Sequence, residues 1–306
     1  MTYAPIALFT YSRADHTRQA VESLLRNKEA AESDLYVFSD GPKTEEKREA
    51  VQQNRAYIHT IQGFNSIHII EREKNWGLAN SLIAGITEIV NKYGRVIVVE
   101  DDLILSPYFL QFMNEALEKY KDEDRVASIS AFLNPVEGDV PETFFLRYFA
   151  CWGWATWKRG WDILINDDRE LLRRLRWKKN DFNIGGTGPF YGILYCDKVG
   201  LNDSWAVRFY ASQFLTGKLQ LFPGRTLAVQ TGTDGSGTHG KTKDNKFEGM
   251  QVSQVPIELN DITVEESKEM YVAYSLFYHG GRKTTIRSEY NRFKSSVRRL
   301  LGIDYK

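Results

Sequence analysis

Arg95-Val96-Ile97-Val98-Val99-Glu100-Asp101-Asp102-Leu103-Ile104-Leu105 is the stretch that decides the fold. Four apolar residues in succession, Val96 to Val99, read as a strand buried on both faces, as in a parallel sheet covered by helices. Three acids stand directly at its end, and burying them is costly unless solvent or a cation meets them. Open α/β sheets bind their ligands outside the carboxyl ends of the strands. Glu100-Asp101-Asp102 at such an end is a seat for Mg²⁺ or Mn²⁺, which take carboxylate oxygens and can in turn hold a diphosphate. The competing reading is a solvated loop whose acids lie near a helix start, where negative charge is favoured.

On either side of this strand, strand and helix signals alternate. Ile6–Tyr11, Leu35–Phe38 and Ile67–Ile70 read as strands, and Val126–Ser130 as a fifth after the acidic one. Helical spacing predicts helices over about His16–Asn27, Thr44–Ile61, Gly77–Tyr93 and Pro107–Lys121. In the helix before the acidic strand, Leu78, Leu82, Ile86, Ile89 and Val90 are spaced for burial. This βαβα order predicts an α/β, doubly wound, mostly parallel sheet.

After about residue 135 the pattern changes. Phe144 to Trp161 is crowded with aromatics, and a charged helix is expected over Asp168–Lys179. Further helices are expected ending at Tyr195 and over Trp205–Gly217, with a short strand at Leu219–Phe222. Thr231 to Gly249 is rich in Gly, Thr and Lys and reads as a surface loop or, by its length, as a lid.

The 306 residues balance 40 basic against 40 acidic side chains. That balance argues against a nucleic-acid binder, which needs a basic excess to neutralise phosphates. Cys151 and Cys196 are too few for a disulfide framework or a structural zinc site and read as reduced packing residues of a cytoplasmic protein. No signal-peptide pattern and no membrane-span pattern is read in the chain.

Several polar residues fall at the carboxyl ends of different expected strands: Arg13, Asp40, Asn75 and the triplet Glu100, Asp101, Asp102. A parallel sheet gathers those ends along one edge. Together they suit a nucleotide, with a carboxylate for ribose or base donors, an arginine for phosphate and a metal for diphosphate. Taken singly, Asp40 before Gly41-Pro42 can be an Asx-turn, and Arg13 a surface residue. Thr238 and His239, in Gly237-Thr238-His239-Gly240, can donate to phosphate oxygens or belong to a plain surface loop. The tryptophans of Cys151-Trp152-Gly153-Trp154-Ala155-Thr156-Trp157 can pack the core, and one such as Trp154 can line a sugar pocket. Asp203, before Ser204-Trp205, reads either as an N-cap or as a general base at a helix start beside a cleft.

Together these pieces resemble nucleotide-sugar glycosyltransferases of the GT-A (Rossmann-like) fold, of the N-acetylglucosaminyltransferase I type and family 2. The matching pieces are Thr10-Tyr11-Ser12-Arg13, Phe38-Ser39-Asp40, Asn75-Trp76-Gly77-Leu78-Ala79, Val98 to Leu103, Trp152-Gly153-Trp154, Asp203-Ser204-Trp205 and Thr238-His239-Gly240. The resemblance implies that Asp102 ligates Mn²⁺ or Mg²⁺ on the donor diphosphate. It implies that Arg13 and Asp40 bind the nucleotide and that Asp203 is the catalytic base. The expected reaction moves a sugar, with inversion, from a UDP-sugar to a hydroxyl of a saccharide or lipid-linked saccharide acceptor, in bacterial polysaccharide or glycolipid synthesis. Residues 1–135 are expected to form the nucleotide-sugar-binding half. Residues 136–250 would form the acceptor-side, catalytic half of the same domain, and 251–306 a C-terminal helical extension.

One rival is a sugar nucleotidyltransferase, disfavoured because Ser12-Arg13-Ala14-Asp15-His16 lacks a Gly-rich loop. A rival of another class is a non-catalytic carbohydrate-binding protein, which would need no metal. From Arg282 onward basic residues dominate, and Phe293, Val297, Leu300 and Leu301 share a helical face. That segment reads either as a peripheral contact with the inner face of a membrane or as a helix packed on the domain.

Overall fold

The structure, a computed structural model, describes residues 3–232 and 246–279. The first half follows the expected alternation: β1 (Ile6–Thr10), α1 (Ala14–Leu25), β2 (Asp34–Ser39), α2 (Arg48–Ile58), β3 (Ser66–Glu71), α3 (Leu78–Tyr93) and β4 (Arg95–Glu100). β1 pairs in parallel with both β2 and β4, so that Phe9 lies opposite Phe38 on one side and Glu100 on the other. The chain steps outward through β2 and β3, then returns to set β4 on the far side of β1. The strand order therefore reverses between β1 and β4, where an open sheet leaves a crevice for ligands.

The period of two along each strand splits the core into layers. Ile6, Leu8, Ile97 and Val99 face Val21 and Leu24 of α1. Ala7, Phe9, Val96 and Val98 face Leu82, Ile86 and Ile89 of α3. Burying each such aliphatic side chain is worth about 1.5–3 kcal/mol, and both faces of the sheet are used. This is why Val96 to Val99 carries no polar alternation.

The second half adds β5 (Leu103–Leu105), α4 (Phe109–Lys119), β6 (Val126–Ser130), β7 (Thr143–Leu146), β8 (Trp154–Trp157), α5 (Lys158–Trp161), α6 (Asp168–Leu175), α7 (Lys179–Phe182), α8 (Phe190–Lys198), α9 (Trp205–Thr216), β9 (Leu219–Pro223), β10 (Ala228–Gln230) and α10 (Lys268–His279). β8 inserts antiparallel between β4 and β6, with Trp154 opposite Val98. The large sheet has the order β3-β2-β1-β4-β8-β6-β9-β7, with only β7 and β8 running against the other strands. The doubly wound, mostly parallel α/β fold expected from the sequence is the one observed. β5 and β10 pair antiparallel as a separate ribbon that leads from the acidic triplet towards Thr231.

Two local expectations are corrected, at Leu78 and in the charged helix, and two other segments gain detail. Leu78, expected among the buried residues of α3, is the first residue of that helix and is 53% exposed. The aromatic stretch Phe144 to Trp161 holds two strands; both are four residues long and buried at every position, so neither shows an alternation. The charged helix expected to reach Lys179 stops at Leu175, and a short α7 resumes at Lys179. Within residues 251–306, α10 packs Met270 and Tyr274 against Phe144, Leu146 and Phe222 in a third apolar cluster. The basic segment from Arg282 onward lies outside the described residues. Among the described residues no helix is long and apolar enough to cross a membrane.

Candidate functional site

β1 and β4 end side by side, and the residues that follow them meet. Arg13 Nη2 donates to Asp101 Oδ1 at 2.5 Å and to Asp102 Oδ2 at 2.9 Å. The Tyr11 N–H reaches Asp101 Oδ2 at 3.4 Å. Both aspartates are buried, while Glu100 is half-buried. Burial pushes the Glu100 carboxyl up to about 8, and the charges of Asp102 and Asp101 add to the rise. Burial also pushes Asp101 up to about 6, with Arg13 pulling it down and Asp102 pushing it up. With Glu100 holding its proton near neutral pH, the two aspartates against one arginine still leave an excess of negative charge that a cation would relieve.

The chain returns over this cluster after β10. Thr231 donates its N–H and its hydroxyl to the Asp102 carbonyl, at 2.8 and 3.0 Å. Gly232 follows so closely that a Cβ there would lie 2.5 Å from Asp102 Oδ2 and 3.1 Å from Arg13 Nη1. The sequence reading missed Thr231 and Gly232 because they act through backbone and through the lack of a side chain. Burial and the charges of Glu100 and Asp102 raise the pKa of Cys151, which keeps its thiol protonated beside the acids. Both cysteines are free.

The donor set fits a divalent cation of the kind that takes one or two carboxylates and completes its shell with phosphate oxygens and water. Among the described residues Asp102 Oδ1 accepts no hydrogen bond, and no hydrogen bond or ion pair holds Glu100. Among the same residues no group of three or more His, Cys, Asp or Glu side chains is arranged to hold a metal.

Asp40, at the end of β2, is turned to the backbone. Gly41 N–H donates to its Oδ1 at 2.9 Å, Trp76 N–H to both oxygens at 2.9 and 3.1 Å, and Gly77 N–H to Oδ2 at 2.9 Å. Asn75 Nδ2 bridges Asp40 Oδ2 and the Gly41 carbonyl at 3.0 and 2.8 Å. The turn reading of Asp40 describes what its carboxylate does here. It ties the entry of α3 to β2, and Asn75 serves the same tie. The turn holds Trp76 outward, 48% exposed, with the Arg72 guanidinium 3.6 Å from its ring centre.

Asp203 precedes α9, but the cap of that helix is Ser204, whose hydroxyl accepts from Val207 N–H at 3.3 Å. The N-cap reading of Asp203 is thereby corrected. Arg208, about one turn into α9 and buried, donates to Asp203 Oδ1 at 2.6 Å. Its other terminal nitrogen stands 3.8 Å from Asp168 Oδ1 and from Asp197 Oδ2. Burial raises the pKa of Asp168 and Asp197, and Arg208 pulls both back. Asp203 keeps 60% of its side chain exposed, and among the described residues its second oxygen accepts nothing. Arg208 was not singled out in the sequence, although a lone arginine between Val207 and Phe209-Tyr210 is the signal that a buried charge needs partners.

Trp154 is a correction. It is fully buried, stacked on Trp205 at 5.5 Å and edged by Phe149 at 5.0 Å, so it has no face to offer a sugar. Thr238 and His239 lie outside the described residues.

The model of the family described as glycosyl transferase family 2 matches residues 6–187, more than half of the chain. No curated protein sequence matches. Among solved structures, the mannosyltransferase PcManGT from Pyrobaculum calidifontis, in complex with GDP-Man and Mn²⁺, is similar at a TM-score of 0.37 and 12% identity, over 70% of either chain. GlyE, a glycosyltransferase in Streptococcus pneumoniae TIGR4, is similar at 0.36 and 10%, over 72% of this chain and 45% of GlyE. S. aureus TarS is similar at 0.29 and 15%, over 45% of this chain and 23% of TarS.

Proposed function

The chain belongs to glycosyl transferase family 2, and on that premise we propose that it transfers a sugar, with inversion and with Mn²⁺ or Mg²⁺, from a UDP-sugar to an acceptor hydroxyl. The observation that carries this reading is Arg13 bridging Asp101 and Asp102 in the β1–β4 crevice. A diphosphate entering there meets a guanidinium held in place by two carboxylates. Asp102, with Glu100 beside it, would hold the cation, which when bound offsets the charge that develops on the leaving diphosphate. Thr231 fixes the Asp102 carbonyl, and Gly232, lacking a side chain, leaves room beside the Asp102 carboxylate.

Asp203 is the base of this reading. Arg208 fixes one of its oxygens, and the open oxygen takes the proton of the acceptor hydroxyl. The acceptor oxygen forms the new bond to the anomeric carbon on the face opposite the diphosphate. The bond to the diphosphate oxygen breaks with its electron pair. We place the acceptor among saccharides and lipid-linked saccharides of bacterial polysaccharide or glycolipid synthesis, and the enzyme in the cytoplasm.

A thermal-shift panel of nucleotide sugars with and without Mn²⁺ tests the reading. Bound donor at a hundred times its Kd adds about 2.7 kcal/mol to stability by mass action, so the true donor stands out. Asp102→Ala is expected to lose turnover and the metal-dependent part of the shift while keeping its own fold. Full turnover in that variant would overturn the metal assignment.

A further inference from the structure

We propose that the outward face of Trp76, backed by Arg72, is the platform on which the base of the donor nucleotide stacks; this rests on the reading of the chain as a nucleotide-sugar enzyme. Trp154, Trp157, Trp161 and Trp205 are buried, whereas Trp177 is 83% and Trp76 48% exposed; of these two, Trp76 is the one set at the strand ends, in a turn tied to Asp40. A large aromatic surface left in water forgoes the stabilisation that burial would bring.

The backbone that carries the indole is nevertheless held, and the ring itself rests on Arg72. The Trp76 N–H is bonded to Asp40, and the Trp76 carbonyl accepts from Asn80 Nδ2 at 3.0 Å. The Arg72 guanidinium lies 3.6 Å from the ring centre and covers one face as a cation–π partner. Arg72 is itself fixed, its N–H bonded to the Ser39 carbonyl at 3.0 Å and its own carbonyl accepting from Arg55 at 2.7 Å. Among the described residues no aromatic ring stacks on the other face. A ring with one face covered by a cation, one face open and its backbone anchored needs little further ordering to stack.

Placement names the occupant. Trp76 follows β3 and its N–H bonds Asp40 at the end of β2, two to three strand spacings from the acids after β4 in the order β3-β2-β1-β4. At about 4.8 Å per spacing this is roughly 10–14 Å. A nucleoside diphosphate laid across the strand ends, with its diphosphate at Arg13 and Asp102, carries its base towards β2 and β3. The start of α3, which would otherwise suit phosphate, already receives the Asp40 carboxylate. What this end of the sheet offers is therefore a π face. Every base has such a face, so the platform holds the base without choosing it.

Titration calorimetry of UDP, GDP and inorganic pyrophosphate, each with Mn²⁺, on the wild-type chain and on Trp76→Ala tests the inference. Stacking predicts that Trp76→Ala weakens both nucleotides between about five- and a hundredfold, leaves pyrophosphate unchanged, and is rescued by Trp76→Phe. Unchanged nucleotide affinity, or an equal loss for pyrophosphate, would overturn the platform and leave the proposed function standing. A wild-type chain that binds neither nucleotide would overturn the proposed function and the platform with it. Trp76 is exposed, so the variant is expected to fold.

Discussion

Asp40 illustrates how one side chain can match a binding motif and still be fully engaged by its own fold. Its two oxygens take three backbone N–H groups and the Asn75 amide. Removing it strands those donors at a part-buried turn, so Asp40→Ala is expected to cost about 1–3 kcal/mol in urea unfolding. Asp40→Asn should recover little, because an amide nitrogen would then face an N–H. A loss below about 0.5 kcal/mol would show that water replaces the carboxylate at no cost. Glu29 is the opposite case: it is 3% exposed, and one of its oxygens has no partner. Burial raises its pKa, and its own backbone N–H and then Lys28 offset only part of the rise. An acid whose folded pKa is raised holds its proton more tightly when folded. It therefore penalises the fold above that pKa, and the penalty lifts as the pH falls through it towards the unfolded value. Glu29→Gln should raise Tm at pH 7, and the gain should fade as the pH approaches 4. A gain that grows on acidification would reverse the argument.

Elements differ in how openly the sequence declares them, and the reason is where their faces point. β1, β2 and β4 are read directly because runs of apolar residues bounded by polar ends have few alternatives, and their ends carry Arg13, Asp101 and Asp102 together. β7 and β8 were not read, since four buried aromatic-rich residues show no period. The placement of Trp154 was lost with β8: only its pairing opposite Val98 reveals that it faces the α3 layer. Thr231 was illegible because its bonds go to a backbone carbonyl. α5 shows a constraint of the same hidden kind. Its Gly160 packs on β6 so tightly that a Cβ would lie 2.1 Å from the Ala127 carbonyl oxygen and 2.6 Å from Thr156 Oγ1. That carbonyl already accepts from Thr156 at 2.8 Å. Alanine is the better helix former by about 1 kcal/mol, yet forcing backbone apart costs about 1–3 kcal/mol or more. Gly160→Ala is thus expected to lower stability in urea unfolding. A neutral or stabilised variant would mean that α5 can lift off β6 freely.

At the scale of the whole molecule, the question is whether the part added after β6 folds with the first half or beside it. Zero net charge and ordinary composition are silent on this, and the C-terminal residues were read only as an extension. The packing answers it. The β4 strand of the first half pairs with β8 of the second, so one sheet runs through both. α10 closes a third cluster that shares Tyr148 and Phe190 with the layer under α3. Tyr274 sits at its centre, fully buried, with Tyr148 at 5.5 Å, Phe222 at 5.8 Å and Phe144 at 6.2 Å between ring centres. Truncating a buried aromatic to alanine costs about 3–5 kcal/mol, and Tyr274→Ala should show that loss. Leu276→Ala, on the same helix but 51% exposed, should stay within about 0.5 kcal/mol. Because the clusters share side chains, the loss is expected to shift one transition rather than create a second. Near-ultraviolet dichroism, which reports the aromatic clusters, and far-ultraviolet dichroism, which reports the helices, should move together in urea. If Tyr274→Ala instead gives an early, separate melting of the aromatic signal while the helices persist, α10 and its cluster are an appendage, and the single-sheet cooperativity argued here does not extend to them.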